Sequence, residues 1–393
     1  MRILMLAPEP FFQPRGTPIS VYFRLQALSH LGHEVTLLTY HLGEAVSFPG
    51  LRIKRIPNLL GVKQVKIGPS LTKIPLDGLL LCLAKKELLS RHYDLIFSHE
   101  EAAFFGVILS RLWRIPHLYD MHSSLPQQLE NFRFSRSRWL LAFFRFMEKF
   151  VLRHSSAIIV ICRDLENKLQ REGYEDKAVL IENYLDFSSG MPKPEEVQKL
   201  KSTYAPAGQK ILLYTGNFEP YQGIPLLLEA AKMLPEGIIF LLVGGTAAEK
   251  KAWETRIKAM GLDRRVYLVA RVPPEKVSSF IAAADALVSP RLSGTNTPLK
   301  IYSYLRSAKP IVATNLWTHT QVLRPEWSVL VSPEPKALAQ GINLALFDPE
   351  AKKMALKAKE YADREYTEAK YYQKIDEALK LATKKKPNLS LSL

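Results

Sequence analysis

Short apolar runs alternate with longer segments in which apolar positions recur every three or four residues, almost from one end of the chain to the other. Residues 2–7 and 35–40 read as strands. Between them, residues 19–31 place Val21, Leu25 and Leu28 on one helical face until Gly32 stops the pattern. Further strand-like runs fall at 95–97, 117–121, 157–161 and 179–181, separated by stretches long enough for helices. Residues 185–194 are turn-rich and poor in apolar residues, as a linker is. The alternation then restarts, with strands expected at 211–215, 238–243, 266–269, 286–289 and 310–313 and helices at 224–234, 247–260, 274–283 and 298–307. Such alternation implies parallel sheets covered on both faces. The expected fold is α/β, two doubly wound Rossmann-like domains in series with a cleft between them. Ligands bind such sheets at the carboxyl ends of the strands. The expected divisions are 1–186, 187–365 and a C-terminal helix and tail at 366–393. The stretch 349–383 is helical in composition and ends in Lys384-Lys385-Lys386, either as a solvated terminal helix or as one that crosses back onto the first domain.

Composition adds a core and a charge. A chain of 393 residues, 47% apolar and 23% charged, has enough apolar surface for large packed domains, which excludes extensive disorder. The formal charge of +16 implies polyanionic company. No zinc finger, RNP strand or short helix-turn-helix module is present, so nucleic acid is not expected as a partner. Phosphate-bearing small molecules and an anionic membrane surface remain. No stretch reaches the roughly 18 continuous apolar residues of a membrane span, and the first residues do not read as a secretory signal. The expectation is a cytoplasmic protein. Residues 132–146, and more weakly 62–66, mix aromatics with cations; this is either peripheral contact with the inner face of a membrane or a core helix with a solvated cationic face. Cys82 and Cys162 are expected to be reduced core thiols.

Candidate chemistry gathers at the expected strand ends. The loop from Pro8 to Pro18 carries Arg15 and Gly16 ahead of a helix, where backbone amides hold anions; a plain turn explains the glycine equally well. It is not a G-x-G-x-x-G sequence, so no dinucleotide cofactor is expected. Gly216 and Asn217, followed by Gln222, repeat the arrangement in the second half, and Gly244 does so one unit later. The segment Arg291-Leu292-Ser293-Gly294-Thr295-Asn296-Thr297-Pro298-Leu299-Lys300 follows a strand with hydroxyls and two cations, which suits a diphosphate pocket or a capped solvated loop. Arg271 is a further cation past a strand end. In the first half, Glu100 and His122 both follow strands and suit proton handling or the orienting of a sugar. No histidine or cysteine spacing points to a metal.

Taken in order, these segments resemble the retaining glycosyltransferases of family 4, which have the GT-B fold. The resemblance covers nearly the whole chain. It rests on Leu31-Gly32-His33-Glu34-Val35, on Tyr214-Thr215-Gly216-Asn217 through Gly223-Ile224-Pro225-Leu226, and on Lys309-Pro310-Ile311-Val312-Ala313-Thr314. It implies a nucleotide diphosphate sugar as donor substrate, held mainly by the second domain. It also implies transfer with retention of anomeric configuration and no cofactor or essential metal. His122 matches the family's histidine near the donor sugar, and Gly16 its N-terminal glycine loop. The chain departs from the family at four positions. Asn217 and Gln222 stand where the family has cations, and Thr295 and Ser303 stand where it has paired glutamates. Arg15, Arg291 and Lys300 are candidates to supply the missing charge. The expected function is hexosyl transfer, in envelope polysaccharide or glycolipid synthesis, onto a polysaccharide or lipid-linked acceptor. The alternatives are a non-catalytic GT-B scaffold and a GT-B nucleotide-sugar epimerase.

Overall fold

The computed structural model describes residues 1–13, 16–59, 61–65, 70, 72–124, 126, 138–185 and 191–384. The chain forms two compact units: residues 1–183 with 368–393, and residues 184–367. Arg15, the segment 127–137 and the heart of the linker, 186–190, lie outside the described residues.

The first unit holds strands β1 (Arg2–Ala7), β2 (Glu34–Thr39), β3 (Leu51–Arg55), β4 (Leu95–His99), β5 (His117–Met121), β6 (Ala157–Val160) and β7 (Ala178–Leu180). They form one parallel sheet in the order β3-β2-β1-β4-β5-β6-β7. β4, β5 and β6 are buried along their whole length, as strands covered on both faces must be. The edge strand β3 was not expected: Leu51-Arg52-Ile53-Lys54-Arg55 is half polar and partly exposed, so its apolar pattern is weak. Helices Thr17–His30, Lys73–Ser90, Ala102–Trp113 and Arg138–His154 fill the crossovers. The last helix, Glu368–Lys384, packs on the helix Thr17–His30 and on β5, β6 and β7.

The second unit repeats the plan with β8 (Lys210–Thr215), β9 (Ile238–Val243), β10 (Val266–Val269), β11 (Ala286–Ser289), β12 (Ile311–Thr314) and β13 (Val329–Val331). The order is β10-β9-β8-β11-β12-β13, again parallel. β9, Ile-Ile-Phe-Leu-Leu-Val, is buried throughout. The helix Ala247–Ala259 starts at a capping box of Thr246 and Glu249. The stretch 349–383 is two helices, Pro349–Glu365 and Glu368–Lys384, which meet at the boundary between the units. The helix expected from Pro298 begins at Lys300.

One expectation is corrected here. Cys82 is exposed, on the outer face of a helix that buries Leu76, Leu80 and Ala84; only Cys162 is a core thiol, and its burial pushes the thiol up to about 12.

Candidate functional site

In both sheets the first strand is flanked by strands whose crossovers leave in opposite directions, between β1 and β4 and between β8 and β11. This switch point opens a crevice at the carboxyl ends of the strands, where open α/β sheets take ligands. The two crevices are lined very differently.

In the second unit, β8 ends at Thr215 and passes into Gly216, with φ at 141°. A Cβ at Gly216 would stand 3.0 Å from the Tyr214 hydroxyl and 3.1 Å from Lys300 Nζ, and one at Gly244 would stand 1.9 Å from the carbonyl oxygen of Gly216. The two glycines therefore let the ends of β8 and β9 close together beneath the Lys300 ammonium. Lys300 opens the helix Lys300–Arg306, and Tyr304 lies one turn on, on the same face. The Thr215 amide donates to the Tyr304 hydroxyl at 3.0 Å, which pins this helix over the end of β8. Lys300 Nζ lies 3.7 Å from the centre of the Tyr214 ring. It is buried and has no hydrogen-bond partner among the described residues. Burial, with Arg291 nearby, lowers the Lys300 pKa well below its ordinary value. A lysine held this way is charged only at a cost, which an anion beside it would offset.

The surrounding loop is braced by the residues expected to bind. Arg291 Nη1 donates to the Asn296 carbonyl at 2.8 Å and to Thr318 Oγ1 at 2.9 Å, and its guanidinium stacks over the Tyr221 ring. Gln321 donates to the Thr295 carbonyl at 2.6 Å. The Thr297 hydroxyl is buried without a hydrogen-bond partner among the described residues, and so is Gln222 Oε1. Pro298 is buried, while Leu299 and Ser303 are partly buried. Asn217 is exposed and offers its backbone carbonyl to the Tyr214 hydroxyl at 2.6 Å. Arg271 is exposed, and its amide donates to the carbonyl of Gly245.

In the first unit the crevice is lined by acids. β4 ends at His99 and turns through Glu100, whose φ is 47°. Glu100 accepts from Ser123 Oγ at 3.2 Å and from Thr17 Oγ1 at 3.5 Å, just beyond Gly16 at the helix start. Burial raises its pKa, against the nearby His122. Glu9, past the end of β1, is buried with Oε1 unpaired among the described residues; burial and then Glu100 raise its pKa well above the ordinary range. Lys73 pairs with Glu101 at 2.9 Å, and burial pushes Asp77 up to about 7.

Beneath these acids lies a network that sequence reasoning missed. Asp120, on β5, is fully buried and accepts from Arg24 Nε at 2.9 Å. His99 Nδ1 and His122 Nε2 each approach the same carboxylate oxygen at 3.4 Å. Arg24 also donates to the Tyr371 hydroxyl, from the terminal helix, and to the Ile181 carbonyl at 3.2 Å. Burial alone would raise the Asp120 pKa; Arg24 and then His122 overcome it and hold the carboxyl below its usual range. Burial pushes His99 down to about 3, so it is neutral. His99, Asp120 and His122 lie close enough together to share a metal ion. The Arg24 guanidinium already neutralises that carboxylate and would repel a second cation, so the grouping reads as an ion-pair network that fixes the His122 ring. Two signals in the sequence mark it. Asp120 is a charge within a strand buried on both faces, and Arg24 falls at the spacing of the apolar stripe Val21, Leu25 and Leu28.

The chain matches two family models: "Glycosyltransferase Family 4" over residues 14–189 and "Glycosyl transferases group 1" over residues 195–365. It is 23% identical over 334 residues to the phosphatidyl-myo-inositol mannosyltransferase of Mycobacterium leprae, covering 82% of this chain and 81% of that one. Among solved structures, sucrose-phosphate synthase from Thermosynechococcus elongatus superposes with a TM-score of 0.78 at 20% identity, over 96% of this chain and 98% of that one. Anabaena HepE in complex with UDP does so with 0.76 at 19% identity, over 96% and 99%. Among the described residues, no helix is long and apolar enough to cross a membrane. Fold and sequence agree: the chain belongs to the group 1, family 4 glycosyltransferases, with the GT-B fold.

Proposed function

We propose that the protein transfers a hexosyl group from a nucleotide diphosphate sugar to an acceptor hydroxyl with retention of anomeric configuration. The observation that carries this reading is Lys300, whose buried side-chain nitrogen has no hydrogen-bond partner among the described residues and is set over the glycine crevice of the second unit, where an anion would favour its charged form. A diphosphate there completes its electrostatics. As the bond from the anomeric carbon to the diphosphate oxygen breaks, charge develops on that oxygen, and a preplaced cation stabilises it. The new bond forms to the acceptor oxygen, whose proton leaves on the nucleoside diphosphate. Lys300 supplies positive charge in place of Asn217 and Gln222, and the reaction so written uses no metal. His122, held by Asp120, and Glu100 orient sugar hydroxyls in the first unit.

For the acceptor we propose a lipid-linked sugar in the synthesis of envelope glycolipid or polysaccharide. The name of the mycobacterial relative, a phosphatidyl-myo-inositol mannosyltransferase, supports a membrane lipid. The titration to run is a calorimetric panel of UDP-, GDP- and ADP-sugars. UDP-sugars come first, because related structures were solved with UDP and UDP-glucose. Binding of one class, with transfer to added acceptor, is the expected result. A chain that binds none would fit the reading favoured by Thr295 and Ser303, a retired scaffold.

A further inference from the structure

The sequence mixes aromatics and cations over residues 132–146, and the described part of that stretch opens the helix Arg138–His154. The helix follows β5 and precedes the parallel strand β6. Its first turn therefore stands at the carboxyl edge of the first sheet, the edge of Glu100 and His122. Its last turns are anchored. Val151 and Leu152 belong to the core, and Phe150 packs on Phe104. The buried Glu148 accepts from Ser124 at 2.7 Å and pairs with Lys168 at 2.6 Å.

Trp139 is 88% exposed, Phe143 54% and Phe146 67%. The spacing i, i+4, i+7 puts all three on one face, which runs about 13 Å along the axis from Glu148. Arg145 and Lys149 are exposed beside it, and Arg153 one turn further on. The only acid on the helix is Glu148, which is already paired. Single exposed apolar side chains are ordinary. A row of three aromatics bordered by cations, with no free acid, has the makeup of a helix lying in an anionic lipid interface. There, rings sit at headgroup depth and each nearby cation adds attraction.

We infer that Trp139, Phe143 and Phe146 dock the first unit on an anionic bilayer surface, with Lys149 against lipid phosphates. This presents the crevice at Glu100 and His122 to acceptors held in the membrane plane. The inference rests on the lipid-linked acceptor reading for its purpose, and on the helix alone for its chemistry.

The test is flotation of the full chain, without donor, on vesicles of phosphatidylcholine alone or mixed equally with phosphatidylglycerol. Wild type is expected to float with the mixed vesicles. The triple variant Trp139→Ser, Phe143→Ser, Phe146→Ser should lose at least about tenfold in partitioning. Lys149→Gln should lose about fivefold on anionic vesicles only. Brominated lipid should quench wild-type tryptophan emission more than that of Trp139→Phe. Circular dichroism and donor binding without vesicles verify that the variants are folded. Equal flotation of wild type and triple variant would overturn the inference. So would a wild type that ignores anionic vesicles, or one that self-associates through these residues, as shown by a mass change on dilution that the triple variant lacks. Donor binding is read separately, so a failed flotation leaves the transferase reading standing, and the reverse.

Discussion

The two units share the order of their first six strands, to which the first unit adds β7, and differ in the charge of the crevice that this order creates. The first unit closes its charges on one another: Arg24, Asp120, His99, His122 and Tyr371 form a buried network with its cation and anion in contact. The second leaves Lys300 without a hydrogen-bond partner among the described residues, over two glycines. The same topology thus yields one crevice whose central charges pair with one another and one whose buried lysine nitrogen has no hydrogen-bond partner among the described residues. Buried charge in contact with its partner is read first as structure, and buried charge without one is read first as a binding site.

Removing a charge from each crevice breaks this comparison most directly. Arg24→Met strands Asp120 as a buried carboxylate, and a loss of about 3–5 kcal/mol in stability is expected from urea unfolding. Lys300→Met removes a buried amine without a hydrogen-bond partner among the described residues, so its unfolding midpoint should hold or rise. Its turnover should fall by about 10²–10³-fold, the usual cost of losing one group that stabilises a leaving oxyanion. A Lys300→Met protein that unfolds early yet turns over normally would remove the distinction between the crevices.

Much of this was legible in the sequence, and the exceptions have physical causes. Buried parallel strands such as β9 are continuous apolar runs, and Gly216, Gly244 and Lys300 sit where a strand passes into a helix, so periodicity finds them. β3 escaped because an edge strand with Arg52 and Lys54 has little apolar pattern. The Arg24–Tyr371 contact escaped because it joins residues 347 positions apart, which only the return of the last helix brings together. Arg291 was expected to face phosphate; its Nη1 braces its own loop, while its buried Nε has no hydrogen-bond partner among the described residues.

Titration sharpens the comparison with a smaller effect. In the second unit, Lys300 is lowered well below its ordinary value and His319 is pushed down to about 3, both mainly by burial. The unfolded chain binds more protons at both groups, so each contribution shrinks as pH falls: from about 10.4 for Lys300 and from about 6.5 for His319. In the first unit, His99 and His117, both near 3, behave alike. There, however, Glu9, Glu100 and Asp77 are raised, and a raised carboxyl gains stability as pH falls toward the unfolded value near 4. The opposing groups offset each other only in the first unit. Between pH 8 and 5, hydrogen exchange corrected for intrinsic rate should show β8 and β11 losing more protection than β1 and β4. An equal loss in both sheets would contradict this.

The smallest effect tests whether the network reaches the site. Tyr371→Phe removes one hydroxyl that accepts from Arg24, while the ion pair of Arg24 with Asp120 at 2.9 Å stays in place. A hydrogen bond to a charged group contributes about 1.5–3 kcal/mol, so stability should fall by that amount, less than for Arg24→Met. If the terminal helix acts only as packing, turnover is unchanged. If Tyr371 fixes Arg24, and through Asp120 the His122 ring, then kcat falls a few-fold with the KM for donor unaltered, because Lys300 and its two glycines, the proposed donor site, lie in the other unit. The pH profile of kcat should shift as well. A change in donor KM alone would show that the two crevices are not the separate devices their charges suggest.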